Sequence, residues 1–137
     1  MICWLRPRVV ELNDYRCEIV IPLSRRSRNH LNSMYFGALC VGADCAGGLM
    51  AFEEMRKARK KIDLVFKSIS GEFLKRPEGD VHFICEDGGK TQQLIERTIN
   101  SKEREETPVT IIAKTYDPEE LEVAKFTLTL SVKLREK

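Results

Sequence analysis

Hydrophobic and polar positions change period several times along the chain, and each change marks an element. Cys17, Ile19 and Ile21 alternate with other residues, and a shorter run precedes them across the turn Asn13-Asp14. Period-two alternation of this kind predicts two strands, at Arg8–Leu12 and at residues 16–23. A polar loop, residues 24–33, interrupts the pattern and carries Arg25, Arg26, Arg28, Asn29, His30 and Asn32. Apolar and small residues then fill almost every position from Met34 to Phe52. This predicts a helix that is apolar nearly all round, begins with Asn32 or Ser33 as N-cap, and must be enclosed by other structure. Gly37, Gly42, Gly47 and Gly48 would let its backbone approach a sheet closely, at a cost in helix propensity. The basic run Arg56, Lys57, Arg59, Lys60 and Lys61 ends it and complements the negative end of the helix dipole.

The second half reads mostly as strand. Residues 62–75 suit a long bent strand closed by the turn Arg76-Pro77-Glu78-Gly79. Val81, Phe83 and Cys85 alternate in the next, and Leu94, Ile95 and Ile99 have the spacing of a short amphipathic helix over residues 91–99. Two last strands, 108–116 and 121–135, flank Asp117-Pro118. In the final one Phe126, Leu128, Leu130, Val132 and Leu134 share one face, with Lys125, Thr127, Thr129, Ser131 and Lys133 on the other. A sheet with one wet face follows. One long apolar helix followed by antiparallel strands predicts an α+β fold, about six strands curled around that helix, in a single domain over 1–137.

Composition narrows the class. With 23 basic and 21 acidic residues the net charge is +2, too small to argue for nucleic acid or a membrane surface. The five cysteines are odd in number and scattered without a CxxC pair, which argues against a disulfide framework or a zinc site and for a reducing, cytoplasmic compartment. The stretch from Met34 to Phe52 approaches membrane-spanning length, but its four glycines and mid-span Asp44 argue against insertion.

Asp44 is the only charge in that stretch. A carboxylate in an apolar helix must be paired, hydrogen-bonded or protonated, and it serves either a structural network or a site. The free N–H groups at the helix start, around Met34, Tyr35, Phe36 and Gly37, form an anion-stabilising cradle. Asp44 follows about two turns later, which predicts that both features reach one substrate group. A thioester needs both: donors for the developing oxyanion and a base for water.

The phrase from Asn29 through His30-Leu31-Asn32-Ser33-Met34-Tyr35-Phe36-Gly37-Ala38-Leu39 to Asp44 resembles the loop and helix of hotdog-fold acyl-CoA thioesterases of the phenylacetate-pathway type. In those, an Asn precedes a His-Gly-Gly by six residues and an Asp follows that His by nine, and Asn29, Tyr35 and Asp44 fall on this spacing. The likeness is strongest to a thioesterase-like branch sharing NHLNSMYFGAL and the following Ala-Gly-Gly. It implies a hotdog fold, with Asp44 as general base or nucleophile and the Phe36 N–H, assisted by Gly37, as oxyanion donor. It also implies that Asn29 orients water or substrate, and that Tyr35 borders the substrate. The family's His is Tyr35 here and its first Gly is Phe36; a backbone donor survives such a change, but the side chain adds bulk. A polar partner from the following strand is implied as well, with Ser68 and Ser70 the available hydroxyls. A homodimer or homotetramer is implied, as is coenzyme A as part of the substrate, with no separate cofactor and no metal.

Two other readings stand beside hydrolysis. A hotdog hydratase or dehydratase would use His30, fourteen residues before Asp44, although the Gly-His-Phe-Pro-Gly context of those enzymes is absent. A non-catalytic acyl-CoA-binding protein would use Asp44 only to hold the helix. The basic residues at the helix end, Arg59 and Lys60 among them, suit either coenzyme A phosphates or solvated charge.

Overall fold

The computed structural model describes residues 2–135, with side chains from residue 4 onward; Met1, Glu136, Lys137 and the side chains of Ile2 and Cys3 lie outside the described part. A short helix α1 (Ile2–Leu5) leads into strands β1 (Arg8–Leu12) and β2 (Cys17–Ile21). The long helix α2 (Phe36–Ala58) follows, then β3 (Ile62–Phe73), β4 (Val81–Cys85), helix α3 (Gly88–Ser101), β5 (Glu105–Thr115) and β6 (Leu121–Leu134). The six strands form one antiparallel sheet in the order β1-β2-β4-β5-β6-β3, so β1 and β3 are its edges. α2 packs on its concave side against β2, β4, β5 and β6. Val9 of β1 and Phe66 of β3, from opposite edges, line one cavity over α2. The sheet therefore curls far enough for its margins to approach each other across the helix, and this is the architecture of a hotdog fold.

Alternation sets the two faces. Cys17, Ile19 and Ile21 of β2 pair with Cys85, Phe83 and Val81 of β4 and point inward with Val109, Ile111, Phe126, Leu128 and Leu130. Glu18, His82, Thr127 and Thr129 occupy the opposite, outer face, where Glu18 accepts from Arg16 (2.9 Å) and pairs with His82 Nδ1 (2.7 Å). The glycines of α2 do what the pattern predicts. A Cβ on Gly42 would lie 2.3 Å from the Phe83 ring, and one on Gly47 3.0 Å from Leu128. Those gaps let the helix axis sit close to the sheet.

The structure differs from the sequence expectation in several places. α2 starts at Phe36 with Tyr35 as N-cap, not with Asn32 or Ser33. The reason is the loop: Tyr35 N–H donates to Ser27 O and Met34 N–H to Pro77 O, which holds residues 34 and 35 extended. The polar side chain of Asn29 is meanwhile engaged within the loop, its Oδ1 accepting from Leu31 N–H (2.8 Å) and Ser33 N–H (3.1 Å). α3 is longer than residues 91–99, β5 begins earlier than residue 108, and α1 carries no periodic signal at all. Among the described residues α2 is the one helix long and apolar enough to cross a membrane, and half of that window is buried inside the fold.

Candidate active site

Asp44 does not sit on the enclosed side of α2. Ala43 and Ala46 are buried, whereas Asp44 is only half-buried, so the helix is less fully covered than its composition suggests. Asp44 lines a cavity of about 270 Å³ with Ile19, Cys45, Gly48, Leu49, Phe52 and Phe66. Its carboxylate has no hydrogen bond or ion pair among the described residues, and burial pushes its pKa up from the ordinary aspartate value. The neighbouring Cys45 is no rival nucleophile. Burial, and then the charge of Asp44, push its thiol up to about 11, so it stays protonated at neutral pH.

The helix start forms a second cavity, of about 420 Å³, lined by Asn29, Ser33, Phe36, Phe73, Lys75 and Arg76 among others. Of the four predicted amide donors, Met34 and Tyr35 are already engaged, as described above. Phe36 and Gly37 are the first residues of the helix, and neither N–H has a partner among the described residues. The ring of Tyr35 packs over Gly37 so tightly that a Cβ there would lie 2.7 Å from it. The Phe36 side chain, 71% exposed, turns outward onto Phe73 in an edge contact with the ring centroids 6.2 Å apart.

Ser33 was expected only as a cap. It is 1% exposed, its Oγ has no hydrogen-bond partner among the described residues, and it borders the cavity that Phe36 borders. Its sequence signal, a Ser just before an apolar helix, cannot be told from that of an ordinary cap.

Other expected residues lie apart. Ser68 and Ser70 pair with Thr129 and Thr127 on the outer face of the sheet, and Ser68 Oγ donates to Thr129 Oγ1 (3.0 Å). A bulge after Phe66 shifts the register there, so Phe66 faces the helix while both serines face away from Asp44. Arg59, the C-cap at positive φ, and Lys60 are exposed at the far end of α2, about 20 Å from Asp44 along its axis. His30 is exposed on the loop and borders neither cavity.

Asp44 and the Phe36 amide are themselves separated. Eight helical residues span about 12 Å, too far for one carbonyl to touch both, and the two groups open into different cavities. The expectation that one chain brings them to a single substrate group is therefore corrected.

The architecture is shared with solved hotdog-type structures over nearly the whole chain. A Pseudomonas aeruginosa protein described as a "probable thioesterase" superposes with TM-score 0.80 at 20% identity, covering 96% of this chain and 85% of that one. A thioesterase family protein from Silicibacter pomeroyi gives 0.73 at 23% identity, with 98% and 89% covered. A thioesterase from Haemophilus influenzae gives 0.71 at 15% identity, with 97% and 82% covered. Among curated proteins, none matches this chain. The fold is thus the hotdog fold of these structures. Residues 4–132 match the family described as "Domain of unknown function (DUF4442)", and the chain belongs to that family.

Proposed function

We propose that the protein hydrolyses an acyl thioester, of coenzyme A or of an acyl carrier protein, with Asp44 as general base or nucleophile. The observation that carries this reading is the Asp44 carboxylate: unpartnered among the described residues, half-desolvated and facing an apolar cavity. A structural aspartate would be engaged by an amide or an arginine. Burial raises its basicity, which favours proton abstraction from water. In the base mechanism, Asp44 takes a proton from water and the oxygen attacks the thioester carbon. The resulting oxyanion is held by the Phe36 and Gly37 N–H groups, with the Ser33 hydroxyl as a further donor. Collapse breaks the C–S bond, and the thiolate leaves and takes up the proton, giving carboxylic acid and thiol. Asn29 holds the loop that aims these donors.

The 12 Å between base and amides within one chain supports a homodimeric site, in which Asp44 of one copy works with the helix start of the other. The uncovered edge of β3, with Val65, Ile69 and Phe73 exposed on it, is a surface that a second copy would cover.

Thiol release from a panel of acyl-CoAs tests the reading. Wild type is expected to release thiol and Asp44→Asn to lose it, with His30→Ala active. Tight acyl-CoA binding without any turnover would overturn it in favour of a non-catalytic binder. Loss of enoyl-CoA hydration in both variants would favour a hydratase. Mixing Asp44→Asn chains with Gly37→Val chains tests the shared site: activity returns only if the two copies complement each other.

A further inference from the structure

We propose that the cavity running from Asp44 to Phe52 takes the acyl part of the substrate, and that this part is an unbranched aliphatic chain of about ten carbons. The inference rests on the thioesterase reading and adds the substrate class to it. Asp44, Gly48 and Phe52 are spaced four residues apart, so they form one stripe along α2 about 12 Å long. The carboxylate stands at one end of this stripe and an aromatic ring at the other. Ile19, Leu49 and Phe66 flank the channel, while Asp44 and Arg8 supply the charged groups on its wall. A hydroxylated or charged acyl chain would give up water there for almost no hydrogen-bonding partners.

Volume sets the length. An apolar cavity of about 150 Å³ accommodates the six carbons of one benzene ring. At that packing the 270 Å³ beside Asp44 holds about ten carbons. At the same packing the eight carbons of a phenylacetyl group would leave roughly a quarter of the space unfilled, so a flexible ten-carbon chain fills the cavity more completely than an arylacetyl group. Gly48 is what keeps the channel open. A Cβ on it would stand 3.3 Å from the end of the Phe66 ring and 4.0 Å from the Asp44 carboxylate, directly beside the path of the chain. Phe66, 37% exposed, forms the facing wall and limits the bore from the side of β3.

The test titrates Asp44→Asn, which binds without turnover, with saturated acyl-CoAs from four to sixteen carbons. Thiol release by the wild-type enzyme is measured on the same series. Affinity and wild-type kcat/KM are expected to rise about threefold to fourfold per methylene, then level off near ten carbons, with decanoyl-CoA well above phenylacetyl-CoA. Phe66→Ala is expected to move the plateau to longer chains and Gly48→Val to shorter ones, with circular dichroism confirming that each variant folds. A flat profile, an unbroken rise to sixteen carbons, a preference for phenylacetyl-CoA, or plateaus that ignore both folded variants would overturn the proposal. The two readings fail separately. The expected binding profile with no thiol release leaves the acyl channel standing and removes the enzyme, whereas thiol release with a flat profile does the reverse.

Discussion

The two faces of α2 use the same small-residue alphabet to opposite ends. On the sheet side Ala38, Gly42, Ala43, Ala46 and Gly47 are buried, and the Phe83 ring lies against the bare Cα of Gly42. On the other side Gly48 separates Asp44 from Phe52, and the same absence of a side chain makes a cavity rather than a contact. One glycine brings two elements together, and the other holds a space open. The difference follows from what stands opposite: a packed core strand in the first case, the curled sheet margins in the second. The half-desolvated state of Asp44 follows from it too, because a helix seated this close to the sheet on one side leaves its other side only partly roofed.

Substitutions on each face should separate these roles. The largest effect is expected from Asp44→Asn, a fall of about 10² to 10⁴ in kcat/KM for thioester hydrolysis, with the fold intact. Gly37→Ala drives a methyl into the Tyr35 ring and displaces an oxyanion donor; steady-state kinetics should register a loss of about 10², partly restored by Tyr35→Leu. Gly42→Ala, on the sheet face, should lose about 1–3 kcal/mol of stability through overpacking against Phe83, measured by urea unfolding. Its counterpart Gly48→Ala meets only the end of a partly exposed ring and should gain up to about 1 kcal/mol from helix propensity. If both glycines respond alike, the distinction between the faces is wrong.

A pH series sharpens the point. The carboxyl of Asp44 is raised by burial, so the folded chain keeps that proton to a higher pH than the unfolded chain does. Its favourable contribution is complete below the ordinary aspartate pKa and is lost as pH rises through the raised folded value. Asp44→Asn should therefore gain stability relative to wild type across that window and hold the gain above it. Equal pH profiles for the two proteins would mean that Asp44 is as well solvated as a surface residue.

Much of the fold was legible because its signals are periodic. The alternation in β6 and β2 and the long apolar run of α2 each specify an element without help from the rest of the chain. The helix start was not legible, because its position depends on Ser27 and Pro77, which are distant in sequence and fix the backbone of Tyr35 and Met34. Asn29 and Asp44 could be picked out as residues, but not that they open into different cavities, since that depends on which strands roof each part of α2. The facing of Ser68 and Ser70 was hidden by one extra residue, the bulge after Phe66, which shifts the pairing register that sequence alone leaves undefined. Ser33 is not legible as a donor because capping and site serines look identical in sequence.

The free margin of β3 has a practical consequence. It is a twelve-residue strand at the rim of the sheet, carrying Val65, Ile69 and Phe73 exposed, with Asp63, Lys67 and Glu72 as its charges. A long, apolar, hydrogen-bond-hungry margin is a template for any extended polypeptide, including a half-folded copy paired out of register. The protein is thereby exposed to a race during synthesis between orderly capping of that strand and runaway stacking on it. A lysine introduced at Ile69 would slow both, yielding a better-behaved solution of lone chains at the expense of their union.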